Sequence, residues 1–138
     1  MSTKPLENRI AVVTGASSGI GEAAARDLVA HGAFVVLNAR RIEPLERLSK
    51  ELGHHRTAVV AGDASNPLAV DAMLEAAKDR FGKGEREADL VIVNAGRGLR
   101  GSVMDSDTEQ WEEMVRTNII GAAHLIRESG TRMLRASE

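Results

Sequence analysis

The residues with the clearest chemistry are Thr14-Gly15-Ala16-Ser17-Ser18-Gly19-Ile20-Gly21. Gly15 frees the backbone to turn sharply. Gly19 and Gly21 remove side chains that would hold a pyrophosphate and a neighbouring strand at a distance. Ser17, Ser18 and Ile20 lie between them and belong to the same candidate site. Ile10, Ala11, Val12 and Val13 come just before, and an Ala-rich amphipathic run over residues 22–31 comes just after. The glycines therefore sit where a strand becomes a helix. Such a helix start offers unpaired N–H groups and the positive end of its dipole, which suit phosphate. The stretch predicts dinucleotide binding, and the alternative is a plain glycine-rich βα turn. Its Gly-x-x-x-Gly-x-Gly spacing is neither the Gly-x-Gly-x-x-Gly fingerprint nor a P-loop, since no Lys follows.

The remaining inventory mostly excludes. Cysteine is absent, which removes disulfides, thiolate metal sites and a Cys nucleophile. Tyrosine is absent as well. His54 and His55 are adjacent while His31 and His124 are solitary, so no metal site is expected. Trp111 reads as packing, and Arg97 and Arg100 as loop charges. A net charge of −2 without a basic cluster argues against nucleic acid or an anionic membrane as partner. Residues 1–9 have no apolar core of a signal peptide, and no apolar run approaches membrane-spanning length. A cytoplasmic protein is expected.

The elements that must position the glycine turn can be read from the same pattern. Ile10–Val13, 34–37, 57–60 and 90–93 are unbroken apolar runs, as expected of strands covered on both faces in a parallel sheet. Helices fall between them. One covers 19–31 and stops at Gly32; another is opened by Pro44, striped by Leu45, Leu48 and Leu52, and ended by Gly53; a third covers 69–81. Thr108 is a candidate N-cap for a long last helix reaching Leu134. Residues 82–87 read as a surface loop. The 138 residues make one domain, able to bury roughly two-thirds of its unfolded surface. The expected fold is α/β: a Rossmann-like doubly wound parallel sheet of about four strands, order 3-2-1-4, with helices on both faces.

In that setting the Thr-led glycine motif resembles the short-chain dehydrogenase/reductase family, and four further places match in family order. The second strand ends Asn38-Ala39-Arg40-Arg41, where NAD-preferring members carry Asp at the Ala39 position. A carboxylate there binds the ribose 2′-hydroxyl, whereas the Arg40 guanidinium suits a 2′-phosphate, so NADP(H) is favoured over NAD(H). Two solvated arginines are the bland alternative. The resemblance makes Asp63 the acceptor for the adenine amino group and gives the Ala64 N–H to the ring; an Asx turn accounts for Asp63 equally well. Asn94-Ala95-Gly96 matches the tripeptide that supports the sheet and lies along the cofactor. Asn118-Ile119-Ile120-Gly121 matches the segment whose Asn holds a water of the proton relay.

The match runs from the first strand through the last helix, but the family's Ser and Tyr-x-x-x-Lys lie beyond it, and no tyrosine stands elsewhere. Asn118 is the one catalytic-type residue present. The expected function is the NADP(H)-binding portion of a short-chain dehydrogenase/reductase-like oxidoreductase acting on a carbonyl or alcohol, not competent alone and lacking the catalytic and substrate portion. The alternative is a complete non-enzymatic nucleotide-binding or subunit-pairing module. With the fourth strand left at an edge, self-association through that strand and the final helix is also expected.

Overall fold

The structure, a computed structural model, describes residues 4–138. Four parallel strands, β1 (Ile10–Val13), β2 (Phe34–Ala39), β3 (Thr57–Ala61) and β4 (Leu90–Ile92), form one sheet in the order β3-β2-β1-β4. Val13 is in register with Leu37 on one side and Ile92 on the other, and Val35 with Thr57. Helices α1 (Gly19–Ala30), α2 (Ile42–Leu52) and α3 (Pro67–Phe81) connect the strands. The last helical stretch comprises α4 (Thr108–Val115), a π-helical turn (Arg116–Gly121) and α5 (Ala122–Ala136).

Side chains alternate between the faces of a strand, so a strand buried on both faces must be apolar throughout. Ala11, Val13, Val35 and Leu37 pack with Ala25 and Leu28 of α1 and Leu45 and Leu48 of α2. Ile10, Val12, Val36 and Ala58 pack with Val70, Met73, Leu74 and Ala77 of α3 and with Leu125 of α5. The expected architecture and strand order are therefore found. β4 is less covered than the run 90–93 implied: its three residues are half-buried. Among the described residues no strand pairs with its outer side.

Several boundaries move for physical reasons. β2 continues to Ala39, because Asn38 and Ala39 stay paired with Val60 and Ala61. α3 begins at Pro67, after Asn66 caps it by accepting from the Leu68 N–H at 2.9 Å. Thr108 is not the cap of α4. Asp107 is, its carboxylate accepting from the Glu109 N–H at 3.0 Å, and Thr108 is the first helical residue. The single long helix is interrupted by the π turn. Residues 83–86 are exposed, as a surface loop should be, but Glu87 turns inward. It meets Lys78 Nζ at 3.2 Å, and Arg132 Nη1 stands 3.6 Å from its other oxygen. Arg132 also bonds Glu75 at 2.7 Å, so these charges tie α5 to α3.

Candidate functional site

The C-terminal ends of the four parallel strands open onto a cavity of about 550 Å³. A doubly wound sheet places ligands there, where the strand order reverses between β1 and β4. Of the residues singled out from the sequence, Gly15, Ser17, Ser18, Arg40, Asp63, Ala64, Asn94, Ala95 and Gly96 line the cavity. Gly19, Ile20, Gly21 and Asn118 do not line it.

Gly15 and Gly19 both have left-handed backbone, with φ +66° and +55°, so each needs glycine for its conformation. The space beside Gly19 is open: a Cβ there would meet nothing within 4 Å. Gly21 differs. A Cβ on it would lie 2.0 Å from the Gly15 carbonyl oxygen and 2.6 Å from Asn94 Nδ2. Gly21 thus lets α1 start hard against the turn. Ile20 is 79 % exposed at the same helix end. Ser18, the N-cap of α1, makes no side-chain cap bond, and neither does Arg41, the N-cap of α2. Both helix starts keep free N–H groups next to the cavity, unlike the capped α3 and α4.

Two buried polar residues beside the cavity, Thr14 and Asn38, have roles that the sequence reading did not assign. Thr14 Oγ1 accepts from the backbone N–H of Asn94 at 3.0 Å and of Ala95 at 2.9 Å, and lies 3.5 Å from the Ile92 carbonyl. It stitches the end of β1 to the segment after β4. Asn38, 1 % exposed, donates from Nδ2 to the carbonyls of Val60 (2.9 Å) and Gly62 (3.2 Å). The signal for both was a polar residue closing an apolar run, which alone does not say what it bonds.

Asp63 makes the Asx turn: one oxygen accepts from the Ser65 N–H at 2.9 Å and the Ser65 hydroxyl at 2.7 Å. Its other oxygen lies 3.6 Å from Arg40 and makes no bond as strong. Burial alone would raise this carboxyl. The Ser65 bonds, with Arg40 and Arg116 nearby, outweigh it and hold the group below the ordinary carboxylate value. Asp63 therefore stays an anionic acceptor at neutral pH.

On the opposite side, Asn94 Nδ2 donates to the Gly15 carbonyl at 3.3 Å. Asn118 stands on the π turn, and both ends of its carboxamide are engaged by one residue. Its Oδ1 accepts from the Arg97 N–H at 2.9 Å, and its Nδ2 donates to the Arg97 carbonyl at 2.7 Å. Gly96 permits that approach, since a Cβ there would be 3.0 Å from Asn118 Oδ1. Gly121 plays the same part toward the Asp63 turn, where a Cβ would be 2.9 Å from Ser65 Cα. Arg97 is further paired with Glu113 of α4. Among the described residues there is no cluster able to hold a metal ion, and no helix long and apolar enough to cross a membrane.

Comparison with known proteins agrees with this arrangement. The family model for short chain dehydrogenases matches residues 9–138. An uncharacterised oxidoreductase of Staphylococcus epidermidis is 36% identical over 132 residues, covering 96% of this chain and 55% of the relative. One from Staphylococcus aureus is 37% identical with the same coverage. Among solved structures, a 3-ketoacyl-(acyl-carrier-protein) reductase from Brucella melitensis complexed with NADH superposes with TM-score 0.84 at 34% identity, over 92% of this chain and 51% of that one. A short-chain dehydrogenase/reductase of the same organism, described as a glucose/ribitol dehydrogenase, gives 0.85 at 28% identity, over 96% and 54%. The chain spans about half the length of the relatives it matches.

Proposed function

The chain belongs to the short-chain dehydrogenase family, and from that footing we propose that it is the NADP(H)-binding portion of an oxidoreductase acting on a carbonyl or alcohol. The observation that carries this reading is the pairing of open space at Gly19 with two helix starts that no side chain caps, beside the Arg40 guanidinium and with Ala39, not a carboxylate, ending β2. On this reading Gly15, Ser17, Ser18, Gly19, Ile20 and Gly21 hold the pyrophosphate at the start of α1. Arg40, with Arg41 and the start of α2, takes the 2′-phosphate. Asp63 and the Ala64 N–H hold the adenine, for which the second Asp63 oxygen is left over. Asn94, Ala95 and Gly96 lie along the cofactor, and Asn118 fixes the loop that follows them. When bound, the nicotinamide ring supplies or accepts a hydride. The protein is cytosolic on this reading and self-associates through β4 and α5.

Arg40 is expected to decide between the cofactors. It is 57 % exposed, and its pair with Asp63 at 3.6 Å adds little, so it is free to turn to a phosphate. One charge-assisted phosphate contact is worth roughly 1.5–3 kcal/mol, or about 10- to 100-fold in affinity. Calorimetric titration should show NADP+ binding tighter than NAD+ by that factor, and Arg40→Ala should bring the two together. Equal affinities in the unaltered chain would overturn the assignment.

The 138-residue polypeptide is also expected not to turn over carbonyl substrates by itself. It contains no tyrosine to protonate the carbonyl oxygen. Positioned acid–base help contributes typically ~10²–10⁴-fold. Assays of NADPH oxidation against a panel of aldehydes and ketones should stay at background. Activity that co-purifies with the chain would refute this.

A further inference from the structure

We propose that Asn38 is a positioning residue for the adenosine half of the site, an inference that rests on the cofactor reading above. Its backbone carbonyl accepts from the Ala16 N–H at 2.8 Å, inside the glycine turn. Its carboxamide Nδ2 reaches the other way, to the Val60 and Gly62 carbonyls at the end of β3. The next residue, Ala39, accepts from the Gly62 N–H at 2.9 Å, and Arg40 follows directly. One buried residue thus joins the phosphate turn, the Arg40 arm and the Gly62-Asp63-Ala64 turn. These are the three segments that the cofactor's adenosine end must meet together.

The carboxamide is not there for packing. Asn38 shares the α3-facing side of the sheet with Val36 of the same strand, where an apolar residue packs without cost. Its Oδ1 is buried and has no hydrogen-bond partner among the described residues. A flipped amide would bring that oxygen against two carbonyl oxygens, so the observed orientation is the one the donors require. A buried acceptor left unpaired works against stability. What the side chain contributes is placement. By holding the Gly62 carbonyl it sets the direction in which the chain enters the Asp63 turn, and by standing beside Ala39 it sets where Arg40 begins.

The test compares two isosteric variants, Asn38→Val and Asn38→Thr, of which only Thr keeps a donor. Three quantities are measured: thermal unfolding, amide hydrogen exchange at residues 62–65 without ligand, and the calorimetric affinity for adenosine 2′,5′-diphosphate. Asn38→Val should stay cooperatively folded, melting somewhat lower because the Val60 and Gly62 carbonyls lose their donor, and should exchange faster at 62–65. It should bind the diphosphate about tenfold more weakly, as loss of two neutral hydrogen bonds implies. Asn38→Thr should recover part of both the protection and the affinity. Unchanged exchange and affinity in a folded Asn38→Val overturn the proposal. So does unfolding of both variants, which would make Asn38 a stabilising residue. If the unaltered chain does not bind the diphosphate, the cofactor reading fails on its own, whatever exchange at 62–65 reports about the placement.

Discussion

Gly21→Ala is expected to weaken NADP+ binding by about two orders of magnitude or more, although Ala is the better helix former. The methyl group would stand 2.0 Å from the Gly15 carbonyl oxygen, 2.7 Å from its carbon and 2.6 Å from Asn94 Nδ2. Two of these are backbone atoms of the turn itself. That turn is pinned by the Ala16 bond to Asn38 and by the Asn94 bond to Gly15, so it has little room to give. Overpacking of this kind costs typically ~1–3 kcal/mol and occasionally more, and here the displaced atoms are those that shape the proposed phosphate site. Gly19→Ala is the internal comparison. It meets open space and bears only the left-handed φ, a cost of roughly 1–2 kcal/mol, so about a tenfold loss is expected. Calorimetry on both variants, with circular dichroism to show a folded chain, separates them. Near-normal binding by a folded Gly21→Ala would show that the turn is not the phosphate site.

The second large effect is on association. Among the described residues no strand pairs with the outer side of β4, and no Pro or inward Lys lies within it to discourage pairing. Past the π turn, α5 buries Leu125 and Ser129 but leaves Ile126 and Leu134 58 % and 70 % exposed, and Ile119 and Ile120 on the turn itself are similarly bare. α5 is docked beside α3, and its Leu125 joins the cluster against which Val91 packs, but the outer side of β4 stays without a paired strand among the described residues. Covering about 400 Å² of apolar surface per chain is worth ~10 kcal/mol per chain at ~25 cal/mol/Å², before the costs of association. A two-fold dimer is the expected outcome. Sedimentation across concentrations checks it, and a monodisperse species of 14.8 kDa at tens of micromolar would contradict it. Ile92→Lys should weaken association and leave the chain folded, because Ile92 is only half-buried and its carbonyl still accepts from Thr14.

Much of this architecture could be read in advance because the information was local. Four apolar runs of strand length, separated by amphipathic segments, allow few alternatives to a parallel sheet. The glycine turn names its own position between strand and helix. What stayed hidden depends on direction. Ser106, Asp107 and Thr108 can each cap a helix, and only the fold selects Asp107. Glu87 sits in a polar run that reads as solvated, but Lys78 and Arg132 come from two helices to meet it. Thr14 and Asn38 look like the ends of strands, and their hydrogen bonds run to partners more than twenty residues away. Asp63 shows the opposite case, since the Asx turn and the ligand reading are compatible once its two oxygens are counted separately.

The π turn at Arg116–Gly121 works as a phase joint. One residue more than a regular helical turn requires rotates everything after it by about 100° relative to everything before. α4 buries none of its residues while α5 buries Leu125 and Ser129, although the two follow one another in a single unbroken helical run. The joint therefore lets one continuous rod serve two neighbours. Its first part answers to the loop through Glu113 and Arg97, and its second to α3 through Arg132. Asn118 sits at the splice, where a uniform helix would carry its carboxamide away from Arg97. Shortening or lengthening the rod by one residue anywhere between these two anchor points would bring them out of step. The segment thus tolerates changes of side chain more readily than changes of count.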